Sequence, residues 1–297
     1  MGWRIVYIED SDYLSLYLDN IKVNKNGQDV LIPISDIHTL IVDNYKAVLS
    51  VNLINKCSLN KVNVILCGFN HLPQSIIYPI SGNNQTPKIL KKQIEWKEFN
   101  KGFVHQKIVR AKIDNQRRIL EVNNRDKVVI CKLKEFSSQV LPHDTGNREG
   151  LSAKMYFREL FGKDFIRFSD DNVNSALNYG YSILRTQISK ALISRGLNTS
   201  IGIFHRGAEN MFNLSDDIIE VFRPIVDNYV VNNFNKETLF LREHRIDLVK
   251  LTTKSMYYDN KKQTFFNVVN QYIGQIIESL DSGTLEIIFP NVDLYDL

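Results

Sequence analysis

The sequence lacks the features that mark several common classes of protein. Its 297 residues include only three cysteines, and no run of 18 apolar residues occurs. Cys57, Cys67 and Cys131 are widely spaced and form no CxxC pair, so the pattern favours buried free thiols over disulfides or a zinc site. Without a bilayer-length apolar segment or a signal-peptide pattern, the chain is expected to be cytoplasmic and to make no membrane contact.

Motifs for nucleotide-driven chemistry are also missing. The sequence has no GxxxxGK[ST] phosphate loop, no GxGxxG after an apolar strand and no serine–histidine–aspartate signature. ATP-driven and dinucleotide-dependent reactions are therefore disfavoured. The composition, 43% hydrophobic and 24% charged, is that of a globular protein.

Positive charge is concentrated in one stretch. The formal net charge of the chain is +4, but residues 86–134 alone contain 14 Lys and Arg against 5 Asp and Glu. A phosphate backbone requires such a basic face, although a solvated helix surface has the same composition. Four residues of this stretch are candidates for contacts to a nucleic-acid backbone: Lys107, Arg110, Arg117 and Arg118.

Two kinds of hydrophobic pattern divide the chain. Short apolar runs separated by polar breaks predict strands over the first 80 residues, with a hairpin at the Asn-Gly step before residue 28 and a helix over 47–60. The polar stretch 81–87 predicts a linker. Spacings of three and four residues then predict helices, among them 149–161, 170–195, 215–233 and 263–279. We therefore expect an α+β fold, with an N-terminal β-strand domain at residues 1–85 and a larger all-α-helical catalytic domain at residues 86–297.

One histidine and several acids form a candidate site. His205 lies in a short loop before a predicted helix that carries Asp216, Asp217 and Glu220 on one face, and Glu149 begins another predicted helix. Like charges on one face repel, so a cation or a basic partner is expected between them. The alternative is structural: the histidine belongs to the packing, and the acids complement the helix dipole. Together, the residues indicate a mixed oxygen and nitrogen site for Mn²⁺ or Mg²⁺ rather than zinc.

Three segments carry a resemblance to a known family. These are EGLSAKMYF at 149–157, the stretch from ALNYGYSILR to GIFH at 176–205, and NLSDDIIEVFRPIVD at 213–227. In order and spacing they resemble the CRISPR-associated adaptation endonuclease/integrase family, and most of all the versions from type II systems, which use a single large RNA-guided effector nuclease. The resemblance extends over essentially the whole chain.

The resemblance implies the residues of a metal site. In the family, a Glu, a His and an acid on the following helix hold Mg²⁺ or Mn²⁺; these positions fall on Glu149, His205 and Glu220. Asp217 matches a further acid near the site. His143 precedes Glu149 closely enough to be a second candidate for a supporting role.

The resemblance also implies an activity and partners. The activity is insertion of short spacer DNA into the CRISPR repeat array by 3′-hydroxyl transesterification, with DNA endonuclease activity in isolation. The expected assembly is a homodimer joined through the N-terminal domains, two of which flank a dimer of a small ferredoxin-like CRISPR-associated protein on double-stranded DNA. Two other functions stay open: a non-catalytic nucleic-acid-binding scaffold, in which the acids only cap helices, and an RNA-processing nuclease.

Overall fold

A computed structural model describes residues 2–11, 13–25, 27–79, 83–235, 237–283 and 286–292. The chain divides into two compact units, residues 1–84 and 85–297. The first unit consists mainly of strands and the second mainly of helices, which confirms the predicted fold class.

In the described residues of the first unit, two four-stranded sheets accompany one α-helix. The elements of this unit are β1 (Arg4–Ile8), β2 (Tyr13–Tyr17), β3 (Asn20–Lys25), β4 (Gln28–Pro33), β5 (Ile37–Val42), β6 (Val48–Leu49), α1 (Val51–Leu59), β7 (Asn63–Cys67) and β8 (Pro73–Ile77). In the first sheet, β1, β5 and β7 are parallel neighbours, and β8 pairs antiparallel with β7. The second sheet has the order β4-β3-β2-β6.

The core of this unit explains its sequence pattern. Every residue of β5 is buried, as expected for a parallel strand covered on both faces. Leu14 and Ile21 of the second sheet share one cluster with Leu40, Val64 and the helix residue Leu53. The predicted hairpin is confirmed, because β3 and β4 pair up to Lys25 and Gln28 around Gly27, whose φ of +81° favours glycine; Asn26 lies outside the described residues.

Where the structure describes the second unit, it is helical apart from one hairpin. Its elements are α2 (Thr86–Ile94), α3 (Glu98–Val122), α4 (Lys127–Ser138), α5 (Arg148–Phe161), α6 (Asn172–Ser194), α7 (Asn213–Ile219), α8 (Arg223–Asn233), α9 (Arg242–Leu251), β9 (Ser255–Tyr258), β10 (Lys261–Thr264) and α10 (Phe265–Ser282). The 25-residue α3 packs against α4, α5, α8 and α10, so it is the central support of this unit. Among the described residues, none of the helices is long and apolar enough to cross a bilayer.

Four details differ from the sequence-based expectations. Residues 48–49 extend the second sheet, so α1 begins at Val51, where Ser50 caps it. The segment 215–233 is two helices rather than one. Cys131 is exposed on α4, so the prediction of a buried thiol holds for Cys57 and Cys67 only. The expected linker lies partly outside the described residues, and Thr86 already begins α2.

Candidate metal centre

The two glutamates predicted as ligands meet at a buried lysine. Lys112 extends from the middle of α3, and its Nζ lies 2.6 Å from Oε1 of Glu149 and 2.5 Å from Oε2 of Glu220. The three side chains are only 11%, 23% and 7% exposed. The two carboxylates therefore face each other across a single cation in a poorly hydrated place.

Glu149 is positioned by a cap at the start of α5. The carboxylate of Asp144 accepts hydrogen bonds from the backbone N–H groups of Arg148 (2.8 Å) and Glu149 (2.9 Å). These donors have no partner inside the helix, and a carboxylate there also complements the helix dipole. Asn147 precedes the helix in the left-handed region, with φ of +48°, which turns the chain into it. Asp144 thereby fixes the first turn that carries Glu149.

Glu220 lies where a proline separates α7 from α8. Pro224 has no N–H group, and its ring would clash with the carbonyl four residues earlier, which belongs to Glu220. The chain therefore makes tighter turns here, with Phe222 N–H bonding to Ile219 O at 2.8 Å. The side-chain amide of Asn115 on α3 donates to the carbonyl of Val221 at 2.8 Å. The interruption thus leaves Glu220 next to α3.

Asp217 organises the loop that carries His205. Its carboxylate accepts hydrogen bonds from the backbone N–H groups of Ile203 (2.5 Å), Phe204 (3.1 Å) and His205 (3.1 Å). It also contacts Nδ1 of His205 at 2.8 Å. A Cβ on Gly202 would lie 2.4 Å from the carbonyl oxygen of His205, so only glycine lets the loop close this tightly. The half-exposed imidazole is held through Nδ1, which leaves Nε2 as its ligand atom.

Neighbouring charges shift the pKa values of three groups in the site, Lys112, Glu220 and His205. Burial lowers the pKa of Lys112 most, but the neighbouring Glu220 and Glu149 outweigh it and the pKa is raised. Burial raises the pKa of Glu220, but Arg223, whose Nη2 lies 3.3 Å from its Oε1, and Lys112 together hold that pKa below its ordinary value. The hydrogen bond to Asp217 raises the pKa of His205 against the effect of burial.

The structure does not bring the three predicted ligands into one tight cluster. Within the part of the chain that the structure describes, one group of three acids or histidines has all its ligand atoms within 4.8 Å, and it lies in the first unit: Glu9, Asp43 and His71. This group could hold a metal ion, although Asp43 already contacts the Tyr7 hydroxyl and Nδ1 of His71. At the predicted site, Lys112 fills the space between the carboxylates.

The other predicted site residues have separate surroundings. Asp216 contacts Asn210 (2.9 Å) and Arg185 (3.7 Å), so it does not share a partner with Asp217 or Glu220. The ring of His143 packs on Gly102 of α3, so closely that a Cβ atom added to Gly102 would lie 2.6 Å from Nε2 of His143. Its neighbour Asp144, which the sequence did not single out, is the residue that orients Glu149.

Sequence reasoning also missed His105. It is 3% exposed, its ring stacks on Phe204 at 3.9 Å, and its Nδ1 has no hydrogen-bond partner. Burial lowers its pKa against the opposing effects of Glu149, Asp217 and Asp144. His105 therefore supports the loop of His205 from α3. His105 lies seven residues before Lys112 on the same helix, which is about two turns and places both residues on one face. This spacing was the signal in the sequence that could have identified His105.

Three of the four basic residues predicted to contact DNA are paired with protein groups. Arg110 donates to the carbonyl of Val140 (3.0 Å), Arg117 contacts Glu121 (2.5 Å) and Arg118 donates to Asn115 (3.1 Å). Lys107 lies over the ring of Phe103 at 4.4 Å. These contacts leave the four residues half-buried on α3.

A second basic surface lies beside the centre, in a cavity of about 480 Å³. Lys112 and Arg223 lie on its wall as well as next to Glu220. The cavity combines cations with aromatic rings, including the 91% exposed Phe168. Its other basic and aromatic residues are Lys154, Arg158, Arg167, Tyr181, Phe157 and Phe165.

Comparison with known proteins places this architecture in a family. Residues 5–256 match the family model described as CRISPR associated protein Cas1. The chain is 34% identical over 239 residues to the CRISPR-associated endonuclease Cas1 of Neisseria meningitidis serogroup C, covering 80% of this chain and 78% of that protein.

Solved structures share the fold. A casposase bound to its integration product has a TM-score of 0.74 at 20% identity, covering 97% of this chain and 92% of that one. A Cas6-RT-Cas1–Cas2 complex gives 0.72 at 18% identity, covering 95% of this chain and 35% of that one. Because the family model spans most of the sequence and agrees with this fold, the chain belongs to the CRISPR-associated protein Cas1 family.

Proposed function

We propose that the chain is a metal-dependent DNA endonuclease/integrase of CRISPR adaptation. The observation that carries the proposal is the pair of carboxylates around one cation, those of the partly buried Glu149 and the buried Glu220, beside a histidine oriented by Asp217. The endonuclease name of the Neisseria relative and the integration product bound by the casposase support it.

A divalent ion fits the residues of this centre. Oε2 of Glu220 is buried and accepts no hydrogen bond of good geometry. The ammonium of Lys112 lies 2.5 Å from this oxygen, so the position already attracts a cation. Two carboxylates and an imidazole suit Mn²⁺ or Mg²⁺. Glu149, His205 and Glu220 would hold the ion, which when bound supplies a Lewis acid for the attacked phosphate and for the attacking hydroxyl.

The remaining residues position these groups. Asp217 fixes the ring orientation of His205, and Asp144 fixes the first turn of α5 under Glu149. The cationic cavity beside them suits a phosphate backbone. In the proposed reaction, the 3′-hydroxyl of a short DNA loses its proton and attacks a repeat phosphodiester. One P–O bond forms as another breaks, and the leaving 3′-oxygen gains a proton, so no ATP is required.

The assembly is part of the proposal. The solved complex that contains Cas1 and Cas2 supports a small partner protein, which we propose is a ferredoxin-like dimer flanked by two homodimers of this chain. Dimerisation through residues 1–85, double-stranded DNA as substrate and a cytoplasmic location belong to the same proposal. The 34% identity to the Neisseria protein supports the similarity to type II versions.

An integration assay tests the proposal. The protein, with and without its small partner, is mixed with a labelled short duplex and a supercoiled plasmid carrying the repeat array, in Mn²⁺, Mg²⁺ or EDTA. We expect metal-dependent joining of the label that Glu149→Ala and His205→Ala abolish. Glu278→Ala, an exposed glutamate on α10, is the control and should join normally.

Each outcome separates the candidate functions. Joining that survives either site mutation overturns the metal centre. DNA binding that is equal in all variants, without joining under any condition, favours the scaffold. Preferential cleavage of RNA favours an RNA-processing nuclease.

A further inference from the structure

The buried ammonium of Lys112 occupies the position that a metal ion would need. Its Nζ lies within 2.6 Å of an oxygen of Glu149 and of Glu220. Divalent ions bind carboxylate oxygens at about 2.0–2.6 Å. An ion held by both carboxylates would therefore overlap the ammonium, so the two cations exclude each other by volume as well as by charge.

The charges of the centre lead to the same conclusion. Lys112 and Arg223 balance Glu149 and Glu220, so the residues in direct contact already sum to neutrality. Adding a divalent ion while Lys112 stays would place a third cation against these two carboxylates and leave an excess of positive charge in a poorly hydrated place, which is costly at low dielectric. Removal of the ammonium reduces that excess.

The structure offers the ammonium another position. Lys112 also lies on the wall of the adjoining cavity, and its four-carbon stem can rotate. Leaving the carboxylates requires breaking both contacts, so the conformer that can accept a metal ion is the less populated one. The apparent metal affinity is then reduced by the fraction of that conformer.

We infer that Lys112 is an internal competitor of the metal ion, which occupies the space between Glu149 and Glu220 and must leave before a divalent ion binds. This inference rests on the proposed metal centre. It makes Lys112 a positioning residue that holds the two carboxylates in place without a metal ion and sets the metal affinity of the chain.

Titration with Mn²⁺ alone tests the inference, by the loss of the free-Mn²⁺ electron paramagnetic resonance signal. All variants carry His71→Ala, so that the cluster in the first unit does not contribute. Lys112→Met keeps the length of the stem and removes the charge. We expect this variant to bind Mn²⁺ about tenfold more tightly or better, which corresponds to a competent fraction of about one tenth in the parent chain.

Two control variants test whether the change in Mn²⁺ affinity depends on the charge of residue 112, and whether the loss of any lysine would cause it. Lys112→Arg retains the charge and should not bind Mn²⁺ more tightly. Lys132→Met removes an exposed lysine that pairs with Glu135 on α4 and should have no effect. Because two facing carboxylates remain in Lys112→Met, its melting temperature should be lower without metal and should rise more on addition of Mn²⁺ than that of the parent.

The outcomes distinguish the inference from the proposed function. Binding by Lys112→Met that equals or falls below that of the parent overturns the inference, provided that Glu149→Gln weakens Mn²⁺ binding. If the parent binds Mn²⁺ and Glu149→Gln binds it equally well, or if no variant binds, the metal centre itself is wrong and the inference falls with it. Binding by Lys112→Met alone supports both.

Discussion

At the scale of single residues, Asp217 has the largest number of dependent contacts in the centre. It is 2% exposed and accepts from three consecutive backbone N–H groups and the ring of His205. Asp217→Ala should lower the free energy of unfolding by roughly 2–3 kcal/mol, because buried donors lose their acceptor. It should also weaken Mn²⁺ binding about 10- to 100-fold, because the imidazole loses its orientation.

Urea unfolding and Mn²⁺ titration measure these two effects. Asp216→Ala is the matched control, since the contacts of Asp216 are the side chains of Asn210 and Arg185, whereas Asp217 holds the His205 ring and the backbone N–H groups of residues 203–205. Equal losses in the two variants would show that the acids act through helix stability rather than through His205.

Asp227 makes the stability of the structure depend on pH. Its carboxylate accepts hydrogen bonds from the hydroxyls of Tyr156 and Tyr181, yet burial raises its pKa to about 6. A raised pKa means that the folded chain holds the proton more tightly than the unfolded chain. This contribution to stability is full below pH 4, where both states are protonated, and is lost as the pH rises to about 6.

The Asp227→Asn variant should lack this dependence. Between pH 4 and pH 6, the stability of the parent should fall relative to the variant by roughly 2–3 kcal/mol. Urea unfolding at several pH values measures the difference, and Asp247→Asn, in an exposed pair with Lys250, should run parallel to the parent. A constant difference between parent and Asp227→Asn would mean that the pKa of Asp227 is ordinary.

At the scale of elements, a side chain of α3 stabilises the interruption between α7 and α8. The amide of Asn115 donates to the carbonyls of Val221 (2.8 Å) and Pro290 (2.9 Å), both of which are buried from water in this region. Asn115→Ala should lower the free energy of unfolding by about 2 kcal/mol, since both acceptors lose their donor. Chemical unfolding measures this, with Asn233→Ala as control because exposed Asn233 bonds only within its own helix.

The same region shows what the sequence pattern can and cannot predict. Strand alternation and helical spacing depend on neighbours along the chain, so the strands of the first unit and most helices were predictable. The interruption at Glu220 was missed because apolar spacing continues across Pro224, and only the proline signals it. The β9–β10 hairpin was missed because its second strand is polar and partly exposed.

The metal centre also combines features that the sequence predicts with one that it does not. Glu149, His205 and Glu220 were named through family resemblance, and the pairing of His205 with Asp217 was expected only as proximity. The position of Lys112 between the glutamates could not be predicted, because it depends on how α3 packs against α5 and α7, over separations of 37 residues and more along the chain. Residues 86–134 contain fourteen Lys and Arg, and nothing in the local sequence distinguishes Lys112 from the others.

At the scale of the whole molecule, the charge is distributed unevenly. Residues 86–134 carry more net positive charge than the entire chain, so the remaining residues are net negative. Much of that basic stretch is already paired on α3, whereas the cavity wall on α5 presents the exposed side chains of Lys154 and Arg158 on one helical face. The cavity is therefore a stronger candidate for phosphate contacts than the residues chosen from the sequence.

Lys154→Ala combined with Arg158→Ala should test this choice. Each phosphate contact releases counterions, so the double variant should bind short duplex DNA severalfold more weakly at 100 mM salt and reduce the slope of log K against log salt by about 2. The loss should be the same for unrelated sequences, because phosphates carry no base information. Fluorescence anisotropy over a salt series measures both quantities. Lys250→Ala combined with Lys261→Ala removes the same number of charges from exposed positions elsewhere, and an equal change of slope in that variant would show that net charge alone, rather than the cavity, attracts the DNA.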